Sequence, residues 1–373
     1  MTSNATTTVT LPSIDVDHAF QVIAAKLERL TEQHPLAFPL FTEGGKWQVS
    51  GETWAPEWTS GFLAGQLWAV ADRTGDSRWR ERAIRYTEAI EPRKHDTGTH
   101  DIGFLFTPSW QRWHAHESSA RIEEVVTTAA RSLATNFNES GNYLRTWVDA
   151  GSSFVDIMMN LDVLYFAAEV SGDVRLAEVA TRHALTTRRF LVRGDGTVAH
   201  EGWFDPDSGE FLRVSTHQGW RSDSSWVRGL TWAIHGFTSC WLRTGDERFI
   251  TTARQCADEY IRRTGAALVP PNDWDDPAPA LPFEASAGSV AAAGMLQLGE
   301  ELGDSGAVYA KYGARILERL ASEEFLASAD EPYEGIIKHA TYHFNNGLGI
   351  DQSNMWGDYY FVEALERYER LRG

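Results

Sequence analysis

The sequence predicts an all-α fold in which helices pair as antiparallel hairpins and close into a double-layered barrel. Three observations carry this. A turn recurs: Thr74-Gly75-Asp76, Ser171-Gly172-Asp173, Thr244-Gly245-Asp246 and Leu302-Gly303-Asp304 each follow an apolar run and precede an amphipathic one. Gly adopts the left-handed conformation that ends a helix, and the Asp after it can cap the next. The run after Asp246 places Phe249, Ile250, Ala253, Cys256, Ala257, Tyr260 and Ile261 at spacings of three and four, so they share one helix face. The run before it, Ser225 to Leu242, is apolar almost throughout. Apolar helices alternating with amphipathic ones describe an inner and an outer layer.

Runs of this kind number about twelve, starting near Asp17, Trp58, Ser77, Asp101, Glu117, Ser153, Val174, Ser225, Asp246, Ala285, Ser305 and Asn354. Twelve helices make six hairpins. An open superhelical array is the alternative, but such arrays show a more regular repeat than this chain does. Three long loops break the pattern. Arg193 to Gly219 carries the turn signals Asp195-Gly196 and Asp207-Ser208-Gly209 between β-prone runs. Ala266 to Phe283 holds five prolines, too many for a helix. Tyr333 to Ser353 is rich in Gly and Asn. Long loops in a compact helical domain are functional or disordered. These carry Trp203, Trp274, His200, His217 and His343, which favours function. Residues 1–15 read as a flexible segment and 16–373 as one barrel domain.

Composition excludes several classes. Lys and Arg total 34 against 52 Asp and Glu, a net charge of −18, so nucleic acid is not expected as a partner. The Thr-rich start, Met1 to Pro12, lacks the basic residues and apolar run of a signal peptide, and no run reaches the length of a membrane span. Cys240 and Cys256 sit inside helical patterns without neighbouring cysteines. They read as buried thiols in a reducing, cytoplasmic setting rather than as a disulfide or a metal site. Fifteen Trp are a surplus, and Trp offers an apolar face with a polar edge, which suits a sugar ring as well as a core.

Four constellations could carry chemistry. His100-Asp101-Ile102-Gly103-Phe104-Leu105-Phe106 opens an apolar helix with a carboxylate, whose other reading is a helix cap. Asp156 lies among Phe154, Val155, Ile157, Met158 and Met159. Desolvated near a second carboxylate, it would have a raised pKa and hold a proton near neutral pH, as a general acid must. Arg228, Trp232 and His235 follow at helical spacing after Thr216-His217-Gln218-Gly219. Arg can grip a carboxylate with paired N–H groups, or can serve a structural Asp. Trp356-Gly357-Asp358-Tyr359-Tyr360 opens the last helix and reads first as barrel closure. His114-Ala115-His116-Glu117 lacks the spacing of a helical zinc site, and no phosphate loop or nucleophile elbow occurs.

Together these segments resemble the unsaturated glucuronyl hydrolases, glycoside hydrolase family 88. The resemblance runs from about Trp58 to Glu366. It rests on Trp58-Thr59-x-Gly61-Phe62, His100-Asp101-Ile102-Gly103-Phe104-Leu105, Asp156-x-x-x-Asn160-Leu161 and Phe190-Leu191-Val192-Arg193-Gly194-Asp195. It continues with Thr216-His217-Gln218-Gly219, Trp226-x-Arg228-Gly229-x-x-Trp232 and Trp356-Gly357-Asp358-Tyr359-Tyr360, in the family's order. The family fold is an (α/α)6 barrel. The resemblance implies no metal and no organic cofactor, and a monomer or homodimer. It implies a substrate left by polysaccharide lyases, an oligosaccharide whose terminal uronic acid carries a C4=C5 double bond. Asp156 matches the residue that protonates C4 and handles the water added at C5. The uronic acid released opens to a keto-deoxy-uronate. Asp101 matches the second carboxylate, and Trp58, His100, His200, His217, Gln218, Arg228 and Trp232 match pocket residues.

The chain departs from the family in two places. Phe283-Glu284-Ala285-Ser286-Ala287-Gly288 stands where the family often shows Asp-Ser-Ser-Ala-Ser-Ala. His343-Phe344-Asn345-Asn346-Gly347-Leu348 stands where members that accept sulfated substrates carry Ser-x-x-Ser-x-Lys. Two rivals remain at this level. One is a related barrel acting on unsaturated rhamnogalacturonan units or on saturated glucuronides. The other is a non-catalytic glycan-binding barrel, in which Asp101 and Asp156 would not face each other.

Overall fold

The computed structural model describes residues 10–49 and 58–372. Thirteen α-helical segments occur among them: α1 (Val16–Gln33), α2 (Ser60–Thr74), α3 (Ser77–Ile90), α4 (Ile102–Phe106), α5 (Arg112–His116), α6 (Ala120–Ala134), α7 (Asp162–Ser171), α8 (Val174–Phe190), α9 (Val227–Thr244), α10 (Glu247–Thr264), α11 (Ala285–Leu302), α12 (Ala307–Leu320) and α13 (Met355–Arg372). A π turn, Thr107–Gln111, joins α4 to α5, so the two form one helix and the expected twelve result. Pro108 has no N–H to give and sits where the helix widens.

The layers follow from burial. In α2, α9 and α11 nearly the whole circumference is buried, whereas α3, α10 and α12 bury one stripe of residues. Inner helices α2, α4–α5, α7, α9, α11 and α13 thus alternate with outer ones, and α13 packs back against α2 to close the ring. The architecture is an all-α (α/α)6 barrel. The glycines of the recurring turn end their helices as expected at three of its four positions, and the following Asp caps the next helix at two, Asp173 making no cap hydrogen bond. Gly75, Gly172 and Gly245 are left-handed, with φ of 64°, 73° and 68°, and Asp76 and Asp246 accept from the backbone N–H of Arg78 and Arg248. The fourth turn differs. A 3-10 turn, Gly303–Gly306, intervenes before α12, so Asp304 is not its cap.

Two further expectations are corrected. No α-helix starts at Ser153. Ser152–Phe154 is instead a strand, followed by a 3-10 turn, Val155–Asn160, that leads into α7. The strands are β1 (Thr42–Glu43), β2 (Lys46–Trp47), β3 (Phe137–Asn138), β4 (Tyr143–Leu144), β5 (Ser152–Phe154), β6 (Glu201–Phe204) and β7 (Phe211–Ser215). β5 pairs antiparallel with β6, and β6 with β7 across the Asp207-Ser208-Gly209 turn, so a distant partner overrides local helix preference. The flexible segment expected over 1–15 falls outside the described residues as far as residue 9. The rest of it is anchored: Ile14 is buried, its N–H donates to the Tyr368 hydroxyl, that hydroxyl donates to Pro12 O, and Asp15 caps α1.

All six inner helices begin at one end of the barrel. Trp58, Asp101, the 155–160 turn, Trp226, Glu284 and Asn354 precede or open them. Helix N-termini carry partial positive charge and unpaired N–H groups, so this end favours an anion even on an acidic protein.

Candidate active site

A pocket opens at that end, lined by Trp58, Arg93, Thr99, His100, Asp101, Phe104, Trp147, Phe154, Asp156, His217, Gln218, Trp226, Arg228, Trp232, Tyr342, His343 and Asn346. Eight of the nine residues named from the sequence line it: Trp58, His100, Asp101, Asp156, His217, Gln218, Arg228 and Trp232. His200 is buried behind the wall.

Asp101 precedes α4, yet its side chain does not cap the helix. Thr99 Oγ1 donates to Asp101 Oδ2 at 2.8 Å and takes the Asp101 N–H at 3.1 Å, which turns the carboxylate into the pocket. Asn160 sets the distance to Asp156. Its Oδ1 accepts the Phe104 N–H at 2.9 Å, and its Nδ2 donates to Asp156 O at 3.3 Å. Gly103 makes this approach possible, since a Cβ there would meet Asn160 Cα at 2.4 Å. His100 stands between the acids, with Nε2 3.4 Å from Asp101 Oδ1 and 3.6 Å from Asp156 Oδ1. A barrel that only binds glycan would leave the two carboxylates apart. Here one imidazole bridges them.

The protonation pattern corrects one expectation. Burial raises the Asp101 pKa, and the Asp156 charge adds to that despite His100. Burial acts the same way on Asp156, but the hydrogen bond and charge of His100, helped by His200 and Arg228, outweigh it and hold Asp156 below its ordinary value. His100 is desolvated too, yet the two carboxylates raise its pKa. These directions favour the proton on the His100–Asp101 side and the anionic form of Asp156. From the sequence, desolvation and a second acid predict the raised value on Asp156; the histidine next to Asp101 reverses this.

Donors are fixed around the rest of the pocket. His200 Nδ1 accepts the His217 N–H at 3.1 Å, and burial pushes its pKa down to about 3. An accepting Nδ1 puts the ring proton on Nε2, a buried atom with no protein partner. Gln218 Oε1 accepts from Arg228 Nη2, so the Gln218 amide NH2 is left for the pocket. Arg228 is itself committed. Its Nη1 donates to Thr341 O at 2.7 Å and its Nη2 to Tyr342 O at 2.7 Å, with Glu284 3.4 Å away and Trp226 and Trp356 on its faces. The expected paired grip of Arg228 on a ligand is not available, because its terminal N–H groups already tie the loop to α9. Glu284 caps α11, accepts the Thr341 N–H and anchors this arginine. His100 Nδ1, His343 Nδ1 and Trp226 Nε1 are likewise buried without hydrogen-bond partners. Such unpaired atoms are costly unless a ligand or water completes them.

The sequence missed Arg93, Trp147, Phe154, Trp226 and Tyr342 as lining residues. Arg93 is a second arginine at the pocket, in a 3-10 turn and paired with Asp96 at 2.9 Å. Trp147 is half exposed at the rim. The loop aromatics Trp203 and Trp274 do not line the pocket: Trp203 Nε1 donates to Ser215, and Trp274 packs against Tyr260. His235 pairs with Glu363 at 2.9 Å, deeper in the barrel. Among the described residues no group of His, Cys, Asp and Glu is placed to hold a metal ion.

Known proteins resemble this chain in sequence and fold. The Glycosyl Hydrolase Family 88 model matches residues 41–240, more than half of the chain. The unsaturated glucuronyl hydrolase of Bacillus sp. (strain GL1) is 30% identical over 95% of this chain and 96% of its own length. The unsaturated chondroitin disaccharide hydrolase of Streptococcus agalactiae is 29% identical over 84% of this chain and 81% of its own. The crystal structure of the Bacillus sp. GL1 enzyme superposes with a TM-score of 0.90, covering 95% of this chain and 97% of that one. With the barrel, the paired carboxylates and these relatives in agreement, the chain belongs to glycoside hydrolase family 88 and is a glycoside hydrolase.

Proposed function

We propose that this enzyme hydrolyses unsaturated glucuronyl oligosaccharides by hydrating the C4=C5 double bond of the terminal uronic acid. The observation that carries the reading is the Asp101–His100–Asp156 cluster on the floor of an aromatic pocket. Relatives named as unsaturated glucuronyl and unsaturated chondroitin disaccharide hydrolases support the substrate class. So does a solved relative from S. agalactiae complexed with dGlcA-GalNAc6S.

In this account the sugar ring lies on Trp58 and Trp232, and its carboxylate faces Gln218 and His217. That anion offsets the positive charge of Arg228 and the histidines, which raises the Asp156 pKa and draws the shared proton from His100. Asp156 gives the proton to C4. The resulting cation at C5 takes the oxygen of a water, and Asp156 recovers a proton from that water. The C5 hemiketal then opens to a ketone, and the hemiacetal at C1 releases the leaving sugar. Protons and bonds balance with one water consumed. Two carboxylates act here without the direct attack at C1 of ordinary glycosidases.

Residues 16–373 act as one catalytic domain in this reading, as a monomer or homodimer. The buried free thiols Cys240 and Cys256 suit a reducing, cytoplasmic setting. Lyase-generated disaccharides test the substrate: ultraviolet absorbance of the double bond falls on turnover. Activity confined to unsaturated rhamnogalacturonan units, or to saturated aryl glucuronides, would replace the proposal with a related one.

A further inference from the structure

Glu201 is a charged group at the site for which the reaction above has no task. It lies on β6 between β5 and β7 and is completely buried. Ser152 Oγ donates to its Oε1 and Ser215 Oγ to its Oε2, and His217 Nε2 lies 3.3 Å from Oε2. Burial alone would raise its pKa, but the hydrogen bonds of His217, Ser152 and Ser215 hold it at about 2. A buried anion needs a cation, and His217 is the one within reach.

His217 is held from several sides. Its N–H donates to His200 Nδ1, its carbonyl accepts from Asn345 Nδ2 at 2.8 Å, and its ring packs 5.2 Å from Phe154. Its side chain is still 39% exposed at the pocket wall. With Nε2 turned to Glu201, the proton on Nδ1 is the one left for a ligand. The committed N–H groups of Arg228 leave a carboxylate in want of a cationic donor, and His217 fills that place.

We infer that Glu201 is a positioning residue that keeps His217 protonated and aimed, so that His217 serves as the cationic ligand of the substrate carboxylate. This rests on the pocket being a uronide site. Other groups facing His217 are Asp156 on the 155–160 turn, His200 ahead of β6, His343 on the late loop and Arg228 on α9. Asp156 favours the charged ring, as Glu201 does. His200 and His343 are held neutral by burial, at about 3 and about 4. Arg228 lines the same pocket and is paired with Glu284.

The test couples an imidazole titration by NMR with the pH profile of KM. In the wild type, His217 titrates above the ordinary value of 6.5, and KM for an unsaturated disaccharide rises as pH passes that midpoint. In Glu201→Gln the midpoint falls and the rise of KM moves to lower pH with it, so KM at a pH between the two midpoints is several-fold higher than in the wild type. Glu201→Asp restores part of both and carries the comparison if the Gln variant does not fold. His217→Lys makes KM flat across the same range. An unchanged His217 midpoint in the variants overturns the inference, as does a loss of stability and kcat with no movement of the KM profile. Absence of turnover in the wild type overturns the substrate reading instead, while the titration still decides whether Glu201 charges His217.

Discussion

At the scale of residues, the proposed chemistry rests on one imidazole set between two acids. Asp156→Asn keeps the shape but removes the transferable proton, so turnover is expected to fall roughly 10²–10⁴-fold, the range for a positioned acid or base. Circular dichroism should stay near wild type and Tm should change little, because the Asp156 side chain's ion pair is with His100 inside the pocket and Asn keeps its shape. Asp101→Asn should also be impaired. The double variant should lose no more than the worse single one, because the carboxylates share a proton through His100. Near-normal turnover of purified Asp156→Asn would assign the acid elsewhere. Much of this cluster was legible: His100, Asp101 and Asp156 stand in short motifs. Its protonation was not, because the order of pKa values depends on a histidine whose contact with Asp156 is tertiary.

At the scale of elements, the site is held by close approaches that small residues permit. Gly103 lets α4 rest on the 155–160 turn, with Asn160 tying the two together. Gly103→Ala forces them apart and is expected to cost about 1–3 kcal/mol, the usual penalty of overpacking, with a fall in kcat beyond the loss of stability. Denaturant unfolding and single-turnover rates check both. On α13, Asp358 accepts the N–H groups of Ile336 and Ile337, and burial pushes its carboxyl up to about 7 against a reference of 3.8. A folded-state value raised above the unfolded one stabilises fully below about pH 4, and that contribution is lost as pH rises through 7. Asp358→Asn should therefore show a smaller decline of unfolding free energy between pH 4 and 7 than the wild type does. An equal decline in both would place the effect on another group. Helix positions were readable because a 3.6-residue period is local. The strand β5 was not, because its partner β6 lies beyond two helices and supplies the pairing that a local pattern omits.

At the scale of the whole molecule, a net charge of −18 surrounds a pocket that must take an anion. The inner helix N-termini and His217 supply local positive potential. Arg228 and Arg93 are already paired, with the Gln218 and carbonyl acceptors and with Asp96. The late loop brings His343, held neutral at about 4, and Asn346, but no Lys or Arg, to the wall. A sulfate on the leaving sugar would be desolvated without a cation of its own, which costs several kcal/mol. Unsulfated unsaturated disaccharides should thus show at least a tenfold higher kcat/KM than sulfated ones, since 1.4 kcal/mol already suffices for that. Comparable values at the same pH and salt would show that Arg93 exchanges Asp96 for the sulfate. The charge and the loop were readable in the sequence. Arg93 was not, because it stands outside the motifs, in a turn that reads locally as a helix end and whose approach to the pocket only the fold supplies.

Hydration of the double bond is the central claim, and turnover of an unsulfated unsaturated disaccharide in D2O, followed by NMR, tests it most directly. The account predicts that the C4 vinyl signal disappears at the same rate as the leaving sugar appears. It further predicts that one deuteron enters C4 in a single configuration, and that Asp156→Asn slows both events together. A leaving sugar that appears while the vinyl signal persists, or deuterium spread over both faces of C4, would contradict it.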